Sequence, residues 1–368
     1  MPITHLKIGS VRNLSCVDIE PCVGLNLFFG ENGSGKTSLL EAISVLAHGK
    51  SFRTVNFRQV ISHHEAQLSV FGVSQQCNTA TRIGVLRPQR GVSVFKVDGS
   101  PVYSSTSLAT LLPLQVMNSK SYELLEGPPK VRRRMFDWLV FHVKHEFGFL
   151  WRDYTKALKH RNSLLRRDKM PRDELMPWNI ELNRLALSID QLRRECLGLF
   201  KDRVNSLIPD INLPAHFKID IEYQRGWSEE HPTLASALEA ALDRDRRYGF
   251  TTCGAHKSEI QVLVNSLPVS DVLSRGQQKS LVAAFLIAEL KVFQDIIGRP
   301  SVLLIDDLPA ELDQTHIKCL ASWLQTLDTQ MFVTGINALD MEVLRQQLIT
   351  KPCKLFHVKH GEINECKP

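Results

Sequence analysis

Two stretches far apart in the chain hold the residue types needed to bind and cleave a phosphoanhydride. The first, Gly30-Glu31-Asn32-Gly33-Ser34-Gly35-Lys36-Thr37, has the spacing G-x-x-x-x-G-K-[ST] and runs into Ser38. Glycines let the main chain curl until successive amide hydrogens point inward as a nest for an anion, and a helix that follows adds the positive end of its dipole. In such a nest Gly30 to Ser38 contact nucleotide, Lys36 reaches the β and γ phosphates, and the Thr37 hydroxyl ligates Mg2+. The second stretch is Val302-Leu303-Leu304-Ile305-Asp306-Asp307. Its four apolar residues make a buried strand, and the first carboxylate after it, Asp306, is placed to hold Mg2+ directly or through water. Asp307 is then the candidate to orient and deprotonate an attacking water, with Lys36 the other catalytic candidate. Alone, Asp306 and Asp307 would equally be two solvated turn carboxylates; the phosphate nest in the same chain favours the metal. The cofactors expected are ATP and Mg2+.

These side chains need a strand before the glycine turn and a helix after it. Leu25 to Phe29 and Thr37 to Ala47 have those patterns, and apolar strands at Leu68 to Val73, Ile83 to Leu86 and Val92 to Val97 complete a mixed α/β lobe. The pattern returns after about residue 250, with a helix from Gln277 to Ile297 and buried strands at Val302 to Ile305 and Met331 to Val333. Between them the period changes. Phe136, Val140, Val143, Phe147, Leu150, Tyr154, Ala157, Arg161 and Leu164 alternate by four and three, as do Leu182, Leu185, Ile189, Leu192, Cys196 and Leu199. Pro128 and Pro129 can start the first helix, Pro171 and Pro177 break the chain, and Pro209 and Pro214 close the second. This predicts an antiparallel helical hairpin over 129–208, its first helix about 40 residues and on the order of 60 Å long. The expected organisation is an α/β head split by a short helical arm: residues 1–120 with the phosphate nest, 121–250 as the arm, and 251–368 as the rest of the head.

The 368 residues, 43% hydrophobic and 23% charged, exclude wholesale disorder. The longest apolar run, Leu281 to Ala288, is far short of a membrane span. The opening MPITHLKIGSVRNL alternates like a strand and lacks the pattern of a signal peptide, so a cytoplasmic location is expected. Eight scattered cysteines without a CxxC pair exclude a disulfide scaffold and a thiol zinc site. Net charge is +6, but Pro128 to Met170 alone holds twelve basic and four acidic residues, so the remainder is slightly acidic. Such a run fits either a solvated helix face or a contact with a phosphate backbone. Arg132, Arg133 and Arg134 are the candidate DNA contacts; as consecutive helix positions they point in different directions, so at most two face DNA. No aromatic-interleaved groove or recognition helix is visible, so base-specific readout is not expected.

Leu273-Ser274-Arg275-Gly276-Gln277-Gln278-Lys279 opens the long C-terminal helix and resembles the signature motif of ABC-type ATPases. An ordinary N-cap by Ser274 is the plain alternative. The resemblance implies that Ser274, Gly276 and Gln277 contact a γ phosphate held by a second subunit, hence a homodimer with ATP at its interface. GENGSGKT at Gly30 to Thr37, GKSFRT at Gly49 to Thr54, GPPKVRRRMFDW at Gly127 to Trp138, SRGQQK at Ser274 to Lys279 and LLIDDLPAELD at Leu303 to Asp313 together resemble the RecF family of bacterial recombination mediators, over essentially the whole chain. That resemblance implies an ABC-type head and an ATP-dependent protein that binds single-stranded, gapped and junction DNA. It further implies action with RecO and RecR to help RecA replace single-strand-binding protein, and links to replication and the SOS response. It makes Arg12 a further nucleotide candidate, Gln115 a metal- and water-sensing glutamine, and Glu311 to Asp313 a loop at the dimer seam. Val11, Met117 to Lys120 and Gly254 to Glu259 depart from the family pattern. Asp307 stands where many ABC-type ATPases have glutamate and is one methylene shorter, which implies slow hydrolysis. Competing readings are a DNA scaffold that binds ATP without cleaving it, and a transporter-coupling ATPase; against the latter, Thr334-Gly335-Ile336 stands where a switch histidine belongs. The interval from Thr37 to Leu273 is too short for a long-armed chromosome ATPase.

Overall fold

The computed structural model describes residues 2–76, 79–167, 172–307 and 314–366. The chain forms two compact units, Met1–Ser121 with Lys279–Pro368, and Tyr122–Gln278.

The head unit is built on a six-stranded sheet in the order Leu114–Met117, Ser301–Ile305, Thr329–Gly335, Leu25–Phe29, Cys353–Lys359, Glu362–Cys366. The first five strands run parallel and the last pairs antiparallel. Strands covered on both faces are largely apolar, which is why SVLLI and LNLFF are hydrophobic apart from Ser301 and Asn26, both buried and hydrogen-bonded. Phe28, Phe332 and Phe356 stack across three neighbouring strands, with centroids 6.2 Å apart for Phe28 and Phe332 and 4.8 Å for Phe28 and Phe356. The second sheet is antiparallel and six-stranded, beginning with Ile3–Val11 and Leu14–Ile19. Helix Lys36–His48 shares one hydrophobic core with both sheets, and eleven of its thirteen residues are buried. A helix apolar on nearly every side belongs at the centre.

Parallel register decides where the chemistry collects. Ile305 is level with Val333 and Met117, and Gly335 with Phe29. The glycine turn, Asp306, Asp307 and Thr334 therefore emerge at one carboxyl edge of the sheet, the usual ligand edge of open α/β sheets.

The second unit holds helices Pro129–Val143, Phe147–Leu165 and Arg172–Leu207 and a three-stranded sheet, Leu267–Pro268, Glu259–Val264 and Ile219–Gln224. The hairpin is antiparallel: Arg161 bonds Asn179 at one end and Lys144 pairs with Glu195 at the other. Three expectations need correction. The first helix is two, because Lys144 is extended and ends Pro129–Val143. Pro177 lies inside helix Arg172–Leu207, near its start, where its ring forfeits the bond to the carbonyl four residues back without ending the helix. The second seam passes from Cys196 to buried Phe200 while Leu199 is exposed, because a straight helix drifts from a strict heptad. Residues 251–278 also group with the insert, not with the C-terminal head, since Glu259–Val264 pairs with Ile219–Gln224. Among the described residues no helix is long and apolar enough to cross a membrane.

Candidate functional site

The glycine turn is held in shape from several sides. Gly30 has φ +154°, and a Cβ there would sit 2.1 Å from the Val358 carbonyl, so only glycine fits. Asn13, unmarked in the sequence, donates to the Gly33 carbonyl at 3.0 Å and accepts from the Ser38 hydroxyl at 2.8 Å, tying the turn to its helix. Lys36 is 8% exposed. Its ammonium donates to the carbonyls of Gly30 at 2.6 Å and Glu31 at 2.9 Å. Burial pulls the Lys36 pKa below the ordinary lysine value, opposed by the nearby carboxylates of Asp307 and Asp306.

The two carboxylates are organised by hydroxyls. Asp306 Oδ1 accepts from Thr37 Oγ1 at 2.9 Å and from Thr334 Oγ1 at 2.9 Å. Thr334 in turn accepts from the Asp307 main-chain N–H at 2.8 Å, and Asp307 sits at φ +58°, a left-handed conformation uncommon outside glycine. Together these groups line a cleft of about 230 Å3 that includes Asn32, Gly33, Gly35, Lys36, Thr37, Ser38, Asp306 and Asp307 from the predicted set, and Asn13, Arg53 and Thr334 besides. Arg53 lay within GKSFRT and Thr334 at the end of a predicted strand, so both had a sequence signal. Gly30 and Glu31 contribute the carbonyls under Lys36, and the Ser34 hydroxyl is buried without a partner among the described residues.

The cleft fits a magnesium-bound phosphate chain. A cation buried against uncharged carbonyls and an orphaned hydroxyl in the glycine turn both lack a partner that an anion would supply. A hydroxyl and a carboxylate already bonded to each other are the oxygen donors Mg2+ takes.

Other predicted residues lie elsewhere. Arg12 is clasped by buried Glu41, Nε to Oε2 at 2.8 Å and Nη2 to Oε1 at 3.0 Å, and does not line the cleft. Gln115 is a correction. It lies level with Leu303, two residues short of the strand end, and its amide donates to buried Glu289 at 2.5 Å instead of facing the carboxylates. Asn118, after the strand, folds its own side chain back on the Lys120 N–H. Ser274 and Gln277 form a reciprocal capping box at the start of helix Arg275–Ile297. The Ser274 N–H donates to Gln277 Oε1 at 3.0 Å and the Gln277 N–H reaches Ser274 Oγ at 3.4 Å, while Ser274 stays exposed and Gly276 half-buried. Glu311 to Asp313 lie outside the described residues.

The arginine triplet also needs correction. Arg132 forms a bidentate ion pair with Glu259, 2.9 Å on both arms, and donates to the Leu124 and Gly127 carbonyls. Arg133 donates to the Ser258 carbonyl, and burial lowers its pKa. Only Arg134 is exposed and without a partner among the described residues.

A carboxyl-edge phosphate nest, a carboxylate pair after a buried strand, a serine-headed helix and a helical insert define an ABC-type ATPase head of the kind found in SMC proteins. Residues 2–363 match the family described as the RecF/RecN/SMC N terminal domain. The head of Smc solved with the C-winged helix domain of ScpA shares the fold at TM-score 0.59 and 12% identity, over 100% of this chain and 98% of that one. The chain belongs, within that class, to the RecF family. It is 44% identical to the DNA replication and repair protein RecF of Saccharophagus degradans, over 98% of both chains. It also matches a solved structure of the recombination mediator protein RecF-ATP in the RecFOR pathway at TM-score 0.87 and 25% identity, covering 99% of each.

Proposed function

We propose that this chain is an ATP-dependent DNA-binding protein of recombinational repair, clamped as a homodimer by ATP and released by slow hydrolysis. The observation that carries the reading is the buried Lys36 ammonium, whose hydrogen bonds among the described residues all go to neutral carbonyls, beside the Ser34 hydroxyl that has no partner among them, in a chain of the RecF family. Lys36 and the turn N–H groups bind phosphate oxygens, Thr37 and Asp306 hold Mg2+, and Ser274 and Gly276 meet the γ phosphate in the second copy. Bound Mg2+ supplies charge neutralisation at the phosphates. Asp307 takes the proton of the attacking water, and Thr334 fixes the main chain from which it projects. Action on gapped and junction DNA in the cytoplasm with RecO and RecR, RecA loading, and support of replication and SOS induction come with family membership and belong to the same proposal.

The DNA surface we assign is not the arginine triplet. Arg152, Lys156, Lys159 and Arg166 are exposed at spacings of four, three and seven on and just beyond helix Phe147–Leu165, so they share one face. Lys156 and Lys159 have no ion-pair partner among the described residues, which leaves their charge available to phosphates.

Sedimentation velocity with ATP and Mg2+, ADP, or no nucleotide tests the clamp: a dimer is expected with ATP alone, and none for Lys36→Ala. A native chain that stays monomeric with ATP would sink the reading. Phosphate release with and without DNA separates a working ATPase from a non-hydrolysing scaffold. Lys156→Glu with Lys159→Glu should reduce the salt slope of DNA affinity by about 2, whereas Arg132→Gln should leave it unchanged.

A further inference from the structure

Helix Leu242–Tyr248 ends on Gly249, whose φ of +69° is left-handed. That reversal brings Phe250 back beside Tyr248, and the rings stack with centroids 5.7 Å apart and planes 21° from parallel. Neither ring is hidden: Tyr248 is 57% and Phe250 40% exposed. Cations flank the pair. Arg166 Nε donates to the Gly249 carbonyl at 3.2 Å, between the two ring-bearing residues, and Lys257 Nζ lies 5.5 Å from the Phe250 centroid. Arg247 is exposed in the same last turn.

We propose that Tyr248 and Phe250 are a stacking platform for an unpaired nucleobase, with Arg166, Arg247 and Lys257 engaging the phosphates on either side of it. The proposal rests on the DNA-binding reading above and deepens it. Each base has a π-face, so stacking on an aromatic is sequence-tolerant, and cations beside the ring hold the backbone. A base inside a duplex already stacks on its neighbours, so the platform selects unpaired strand. Arg166 also closes the exposed basic face of helix Phe147–Leu165, so a strand tracking that face reaches the rings. The clustered cations disfavour a basic peptide.

The test is fluorescence anisotropy of the full chain with ATP and Mg2+ at fixed salt, using oligothymidylate, a blunt duplex of equal length and a gapped duplex. Tyr248→Ala with Phe250→Ala should weaken oligothymidylate and gapped DNA by about tenfold or more and leave the blunt duplex nearly unchanged. Tyr248→Phe with Phe250→Tyr keeps both rings and should bind as the native chain does; this pair guards against misfolding. A single-stranded 2-aminopurine probe should change emission on the native chain and lose that change on the alanine pair. Unchanged single-strand affinity, or equal losses on single strand and duplex, overturns the platform while leaving DNA binding intact. A native chain that binds none of the three DNAs removes both proposals.

Discussion

In the head, Lys36 keeps its ammonium buried against two uncharged carbonyls. In the arm, Arg161 and Arg193 are at least as deeply buried, yet each meets a carboxylate: Asp245 at 2.7 Å and Asp137 at 2.8 Å. Neutral hydrogen bonds also support the arm pairs, as Asn179 and Thr251 do for Arg161. The arm has neutralised its interior charge in ties between helices, Phe147–Leu165 to Leu242–Tyr248 and Arg172–Leu207 to Pro129–Val143. The head has left one charge with only partial compensation, in a cleft where a ligand can complete it. Buried charge is thus a structural tie in one unit and a binding determinant in the other.

The contrast can be broken most directly by deletion in the arm. Asp245→Ala strands a fully buried guanidinium and should lower stability by about 3–5 kcal/mol. Lys36→Met removes an imperfectly paired buried charge and should leave the unliganded protein's stability unchanged or slightly raised. Urea unfolding followed by tryptophan emission measures both, with four of the five tryptophans (138, 151, 178 and 227) reporting on the arm. Equal losses would mean that Lys36 is structural too. The same Lys36→Met should weaken ATP binding by roughly a hundredfold, as two charge-assisted phosphate contacts disappear; calorimetry with MgATP gives the number.

A smaller effect concerns pH. The His256 ring lies between Tyr154 Oη, 2.8 Å from Nδ1, and the Thr251 carbonyl, 3.1 Å from Nε2. A carbonyl only accepts, so Nε2 bears the proton and Nδ1 accepts from tyrosine in the neutral ring. Burial lowers this pKa from 6.5 to about 4. Between those values the unfolded chain binds a proton that the folded arm refuses, so stability is lost as pH falls from 6.5 toward 4, by about 2–3 kcal/mol. His256→Gln should flatten that part of the profile; an unchanged profile would relieve His256 of the role. The smallest effect expected is at the carboxylate pair. Thr334→Val removes a hydroxyl shared by Asp306 and the Asp307 main chain, worth about 1 kcal/mol, and should slow phosphate release several-fold with ATP affinity nearly unchanged. A fall in affinity equal to the fall in turnover would instead make Thr334 a binding residue.

The glycine turn and its strand and helix were legible because all their determinants lie within about two dozen consecutive residues. Asp306 and Asp307 were legible for the same reason, the buried strand before them being written in its own apolar run. Asn13 was not: nothing in its neighbourhood says that it will clasp a turn twenty positions later. Arg132 was misread because Glu259 pairs with it from 127 positions away. Gln115 was misread because the register of parallel strands, not its own sequence, puts it below the sheet edge.

Local spacing alone was enough to define a phosphate nest, the strand before it, the helix after it and the presence of a helical insert, since each depends on neighbours along the chain and on period. Which arginines keep their charge in water, which polar groups reach the cleft, and that Tyr248 and Phe250 stack at the surface were decided only by folding. Those outcomes depend on partners brought from distant segments, and long-range pairing leaves no periodic trace in the sequence.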